Sequence, residues 1–140
     1  MIFDFLLWGL VIGIVHFIVV GGLYTNPLVA RQYQKAKNSA GVRIWGNQKE
    51  YLIKMFLGTQ IEVYILTAAY LYLRQMFSSP TSFSVSVTLA VILTAVRVYP
   101  RFWNMWIQST YPNNLLAIEF LNGTIGTFVI VLGAWLLPIA

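Results

Sequence analysis

The sequence predicts an all-α integral membrane protein, a four-helix bundle with both termini on the non-cytoplasmic side. Three observations lead there. Charged residues are 9% of the chain and hydrophobic residues 59%, whereas a soluble domain is about one quarter charged. Mean hydropathy is +0.72. Four apolar stretches, residues 3–24, 51–73, 83–108 and 115–137, each reach the length of about 20 residues that crosses roughly 30 Å of hydrocarbon. So few charges cannot cover a surface in water, so the chain is solvated by lipid or packed among other membrane proteins. Its 140 residues make a single transmembrane domain.

The first stretch has no basic start and no small-residue cleavage site, with Asp4 early and Gly21-Gly22 late. It is therefore expected to be a retained helix rather than a signal peptide. Residues 25–50 are polar and hold Arg31, Lys35, Lys37, Arg43 and Lys49. Turn signals stand at Asn38-Ser39 and Gly46-Asn47. Residues 27–37 mix apolar and basic side chains, as an interfacial helix does. The second span leads into a short Ser/Pro/Thr turn at residues 77–83. The third span ends either at Tyr99 or, kinked at Pro100, near Gln108. The longer version is preferred, because Pro is tolerated in membrane helices and Tyr111-Pro112-Asn113-Asn114 is the stronger turn. The fourth span follows that turn.

Lys and Arg in short loops set orientation. The first loop carries five and the second only Arg74, so residues 25–50 are predicted cytoplasmic. The same asymmetry explains the net charge of +5 without nucleic acid, because the basic residues sit beside apolar spans. Trp8, Trp45, Trp103, Trp106 and Trp135 fall mostly near span ends, as an interfacial belt requires. The chain has no cysteine, which excludes disulfides, thiolate catalysis and thiolate metal sites. No phosphate loop or Ser–His–Asp set is present, and the sequon Asn122-Gly123-Thr124 lies inside a span.

Ionisable groups in hydrocarbon are costly and need a reason. His16, Glu62, Arg97, Arg101 and Glu119 are such groups, and Asn122 joins them on the polar stripe of the fourth helix. Gly9 and Gly13 share the His16 face, Gly58 and Thr59 the Glu62 face, and Gly123 and Gly126 the Glu119 face. Small residues let helices approach, so Gly9, Gly13, Gly58, Gly123 and Gly126 are expected at helix contacts. All four faces are expected to meet in the middle of the bundle. At about 1.5 Å per residue, Glu62 and Arg97 lie about 15 and 18 Å below the cytoplasmic end. His16 and Arg101 lie about 12 Å deep and Glu119 about 8 Å. Matching depths predict an Arg97–Glu62 pair and an Arg101–Glu119 pair, with His16 near both. Were the third helix to end at Tyr99, Arg97 would pair with Glu119 and leave Glu62 with His16. No metal is expected, because neither Glu62 nor Glu119 belongs to a Glu-x-x-His motif. His16, the sole histidine, leaves room for a haem or chlorophyll as axial ligand, although a hydrogen-bonded core histidine is commoner.

Gly21-Gly22-Leu23-Tyr24-Thr25-Asn26-Pro27-Leu28, the span at residues 54–73, and Tyr111-Pro112-Asn113-Asn114-Leu115-Leu116-Ala117-Ile118-Glu119 follow one another in an order that resembles small bacterial membrane proteins catalogued as domain of unknown function 1761. The likeness covers residues 11–137. It departs at Leu23-Tyr24-Thr25-Asn26-Pro27, where the family usually has Trp-Tyr-Ser-Pro, and at Arg97, Pro100 and Arg101. It implies a four-helix fold with a third helix running past Pro100. It implies no activity and carries over no functional residue.

The leading expectation is a non-catalytic accessory or scaffolding subunit of a bacterial inner membrane. Its partners would be the lipid bilayer and other membrane subunits or further copies of itself, with no nucleic acid. Four short helices bury little surface, and glycine-rich faces suit helix contact. The alternatives are a small oligomeric transporter or channel-like module with a charged core, and a membrane cofactor-binding protein using His16.

Overall fold

The structure, a computed structural model, describes residues 2–136, which form five helices and no strand. They are α1 (Ile2–Thr25), α2 (Pro27–Lys35), α3 (Gln48–Arg74), α4 (Phe83–Gln108) and α5 (Asn113–Leu136). α1, α3, α4 and α5 are each long and apolar enough to cross a membrane. They mark the chain as an integral membrane protein. Leu137, placed at the end of the fourth span, lies outside the described residues.

Local chemistry sets the helix starts. Asn26 caps α2 by accepting from the Leu28 amide at 2.9 Å, and Pro27 occupies the first turn, where no amide donor is needed. Asn47 caps α3, accepting from Lys49 and Glu50 at 3.0 and 3.2 Å. That cap starts α3 at Gln48, three residues before the expected Tyr51. α4 continues through Pro100 to Gln108. The proline removes one amide donor, a loss that leaves the helix whole but frees the carbonyl four residues earlier.

The long helices are neighbours in the order α1, α3, α4, α5 and back to α1, with α3 and α5 also touching across the middle. α1 and α4 do not touch. The α1 and α4 backbones are thus not neighbours, because α3 and α5 occupy the centre, and the four polar faces meet around a cavity rather than in direct helix contact. The half of the bundle nearer the termini is packed. Ile12, Val63, Leu66, Tyr70, Leu89, Ile130, Val131 and Ala134 are buried there. The buried Tyr70 hydroxyl is satisfied by Ser86 at 2.8 Å, tying α3 to α4.

The α1 glycines form a notch for side chains rather than for another backbone. A Cβ on Gly9 would lie 2.3 Å from the Tyr64 ring, and one on Gly13 would lie 2.0 Å from Gln60 Oε1. Through that notch Gln60 Nε2 donates to the Gly9 carbonyl at 3.0 Å, and the Tyr64 hydroxyl donates to the Leu6 carbonyl at 2.8 Å. Gly123 accommodates Val98, and Gly126 accommodates His16. Gly58 is a correction: a Cβ there would meet nothing within 4 Å, so it serves no contact inside the chain. Glu62 must reach Arg97 on α4, and that rotation of α3 leaves Gly58 and Ile65 facing outwards, Ile65 being 63% exposed.

Candidate functional site

The half of the bundle next to the basic loop holds a cavity, although Leu115 and Leu116 at the start of α5 are buried. The later part of α1 and α4 and the earlier part of α3 and α5 surround a cavity of about 630 Å³, with α2 over it. Its walls include His16 and Tyr24 from α1, Tyr33 and Lys37 from and just after α2, and Thr59 and Glu62 from α3. Arg97 and Arg101 come from α4, and Glu119, Asn122 and Gly123 from α5. All six residues of the expected polar network, His16, Glu62, Arg97, Arg101, Glu119 and Asn122, thus line one cavity. The apolar half of the bundle closes it towards the termini.

The Arg97–Glu62 pair is present and two-pronged. Arg97 Nε donates to Glu62 Oε1 at 2.6 Å, and Nη2 donates to Oε2 at 2.5 Å. Arg97 Nη1 donates to Thr127 Oγ1 at 2.6 Å and to the Gly123 carbonyl at 3.2 Å. One guanidinium therefore joins α4 to α3 and α5. Planar guanidinium geometry matches a carboxylate in this way, and lysine cannot reproduce it.

The expected Arg101–Glu119 pair is absent among the described residues. Glu119 instead accepts from three phenols: Tyr24 at 2.8 Å, Tyr33 at 2.6 Å and Tyr111 at 3.5 Å. Arg101 sits one helical turn, about 5.4 Å, nearer the loop side than Arg97. Arg101 is exposed, and neutral hydroxyls satisfy the half-buried Glu119 carboxylate without desolvating a second ion. Burial pushes the Tyr33 phenol well above the ordinary value of about 10, and its donation to Glu119 adds to the shift. Burial also raises Tyr111. Both remain protonated donors at neutral pH.

Two polar atoms deep in the cavity wall have no partner. His16 is 4% exposed, and its Nδ1 is unpaired; Asn122 is 6% exposed, and its Nδ2 is unpaired. Buried polar groups are normally satisfied; these two belong to residues that line the cavity, and Gln60 Oε1, Thr67 Oγ1 and Thr94 Oγ1 are unpaired elsewhere. His16 Nε2 faces the other way, against Gly126, where a Cβ would come within 2.6 Å. Nδ1 is the ring nitrogen without a hydrogen bond. Among the described residues no group of three or more His, Asp or Glu side chains could hold a metal.

The three tyrosines are the Glu119 partners the sequence did not disclose. Tyr24 and Tyr33 lie 95 and 86 residues from Glu119, and tyrosines near span ends are ordinarily read as an interfacial belt. The single available signal was chemical: a carboxylate inside a span needs donors, and hydroxyls flank it on both loops.

Fold and site together define a small helical membrane protein with a polar cavity walled off on one side. No family model matches the chain, and no curated protein or solved structure shows significant similarity to it.

Proposed function

We propose that the chain is an integral membrane protein that binds a small polar solute in a vestibule open towards its basic loop, as a transporter or channel-like module would. The observation that carries this is the cavity itself. It is about 630 Å³ and lined by four charged side chains of the spans together with His16 and Asn122, each of which has an unpaired buried atom. Charges that merely clamp helices together need no such space, and a packed bundle would close around them. The vestibule ends at the apolar half of the bundle, so a solute enters from one side and passage would require that seal to open.

The absence of cysteine makes a clean test. Thr59 lines the vestibule, whereas Thr67 is fully buried in the packed half. Thr59→Cys should react with a small charged methanethiosulfonate added in detergent, and Thr67→Cys should not. Equal protection of both would sink the solute reading.

A second reading, the accessory subunit, draws on Gly58. It opens on a groove of about 380 Å³ with Ile61 and Ile65, beside the Glu62–Arg97 pair, where a partner helix from another subunit or another copy fits. Co-purification of a stoichiometric partner that Gly58→Leu releases would favour it. Under either reading we place residues 25–50 in the cytoplasm and both termini outside, in a bacterial inner membrane, from the Lys and Arg asymmetry. The resemblance to domain of unknown function 1761 stays a proposal about fold alone.

A further inference from the structure

We infer that the ligand of this vestibule is a small anion, a carboxylate or a phosphate, held by the Arg101 guanidinium with Asn122 and His16 behind it. This rests on the reading of the vestibule as a solute site.

Among the described residues, the hydrogen bonds around the cavity leave one charged group of the spans unpaired. Both oxygens of Glu62 are taken by Arg97, and both oxygens of Glu119 are taken by tyrosine hydroxyls. Neither carboxylate is without a donor, although each, with about four acceptor sites, keeps some of them free. The charged group of the spans left with no partner at all is a donor. Arg101 makes no hydrogen bond or ion pair among the described residues and keeps all five N–H groups. Asn122 Nδ2 is a buried donor that makes no hydrogen bond of good geometry and lies beside the Tyr24 hydroxyl. His16 Nδ1 donates or accepts according to its tautomer, so it meets either an anion oxygen or a protonated hydroxyl.

Charge points the same way. The walls carry Lys37, Arg97 and Arg101 against Glu62 and Glu119, so one positive charge is uncompensated. A single negative charge would balance it, and balance is what a low-dielectric site favours. Guanidinium recognises a carboxylate or phosphate edge-on through two parallel hydrogen bonds. Val20 and Met55 supply apolar wall beside these groups, enough for a short hydrocarbon portion. The anion comes either free from solution or as the headgroup of an acidic lipid.

The test uses the full chain carrying Thr59→Cys in phosphatidylcholine nanodiscs, with protection from methanethiosulfonate as the readout. The probes are benzoate and inorganic phosphate, with the near-isosteric neutral benzamide and cationic benzamidinium as contrasts. Benzoate or phosphate should slow labelling and the contrasts should not. Arg101→Gln should weaken that protection about tenfold or more, as expected for lost charge-assisted hydrogen bonds, and Arg101→Lys should restore part of it. Protection in phosphatidylglycerol nanodiscs without added probe, abolished by Arg101→Gln, would assign the anion to a lipid headgroup. Protection by benzamide or benzamidinium alone would overturn the anion inference and leave the solute site standing. Anion protection that Arg101→Gln leaves unchanged, or free labelling in the presence of every probe and lipid, would overturn it as well. An inert Thr59→Cys removes both readings. If Arg101→Gln does not fold, the contrast between benzoate and benzamidinium on the Thr59→Cys chain decides alone.

Discussion

Arg97 and Glu62 meet in a two-pronged ion pair with separations of 2.6 and 2.5 Å, and the remaining terminal nitrogen of the same guanidinium reaches Thr127 on a third helix. The pair is the hub between α3, α4 and α5. Glu62→Gln should lower stability in detergent by roughly 2 kcal/mol, between the values for exposed and buried pairs. The double change Glu62→Gln with Arg97→Gln should cost less than the sum of the single ones, because neither ion is then left alone. Arg97→Lys should destabilise even though it keeps the charge. Thermal unfolding of the four variants checks this, and additive losses would show that the two side chains are not coupled.

The glycines separate by what faces them. Gly126→Ala drives a methyl group against His16 Nε2, and Gly13→Ala drives one against a Gln60 side chain pinned by its bond to the Gly9 carbonyl. Each should cost about 1–3 kcal/mol by overpacking. Gly58→Ala meets open space and should be neutral or stabilise by up to roughly 1 kcal/mol through helix propensity. A ranking in which Gly58→Ala is the most damaging would reverse the assignment of faces.

α2 is held over the vestibule by Tyr33 donating to Glu119 and by Asn114 donating to Gln32 at 3.1 Å. Tyr33→Phe should leave the four long helices intact and speed amide exchange within Pro27–Lys35. The raised Tyr33 pKa gives a pH signature. The folded state holds the phenolic proton more tightly than the unfolded chain. The stabilisation is therefore fully present below the unfolded value of about 10 and is lost as pH rises beyond it. Wild-type stability should stay level from pH 7 to about 9 and then fall, and Tyr33→Phe should flatten that fall. An identical alkaline slope in the variant would count against the Tyr33–Glu119 bond.

Topology is testable with two further cysteines. Asn38→Cys, in the basic loop, should be labelled from the cytoplasmic side by a membrane-impermeant maleimide. Ser79→Cys, in the turn after α3, should be labelled from the opposite side. Labelling of both from one face would contradict the crossing of α3.

Local properties were legible in the sequence because they depend on neighbours along the chain. The spans follow from apolar length, the start of α2 from Asn26-Pro27, and the passage of α4 through Pro100 from the better turn at Tyr111-Pro112. The Arg97–Glu62 pair was legible too, because depth along a helix is fixed by its rise and two opposite charges at one level have few other partners.

Rotation about each helix axis is set by packing rather than by periodicity, since α1, α3 and α5 are apolar nearly all round and offer little guide. Only the tertiary structure therefore decided that α3 turns Gly58 outwards, that α1 and α4 stay apart, and that Gly9 and Gly13 receive side chains. It also decided that Glu119 belongs to Tyr24, Tyr33 and Tyr111 rather than to Arg101. Charge counting matches ions with ions, but a partly buried carboxylate is equally well satisfied by neutral hydroxyls that cost less to desolvate. Which of these surrounds it depends on chain segments brought together by folding. The sequence determined that a charged core must exist inside the membrane, and folding determined which of its groups are spent on one another and which, like Arg101, Asn122 and His16, are left facing a cavity.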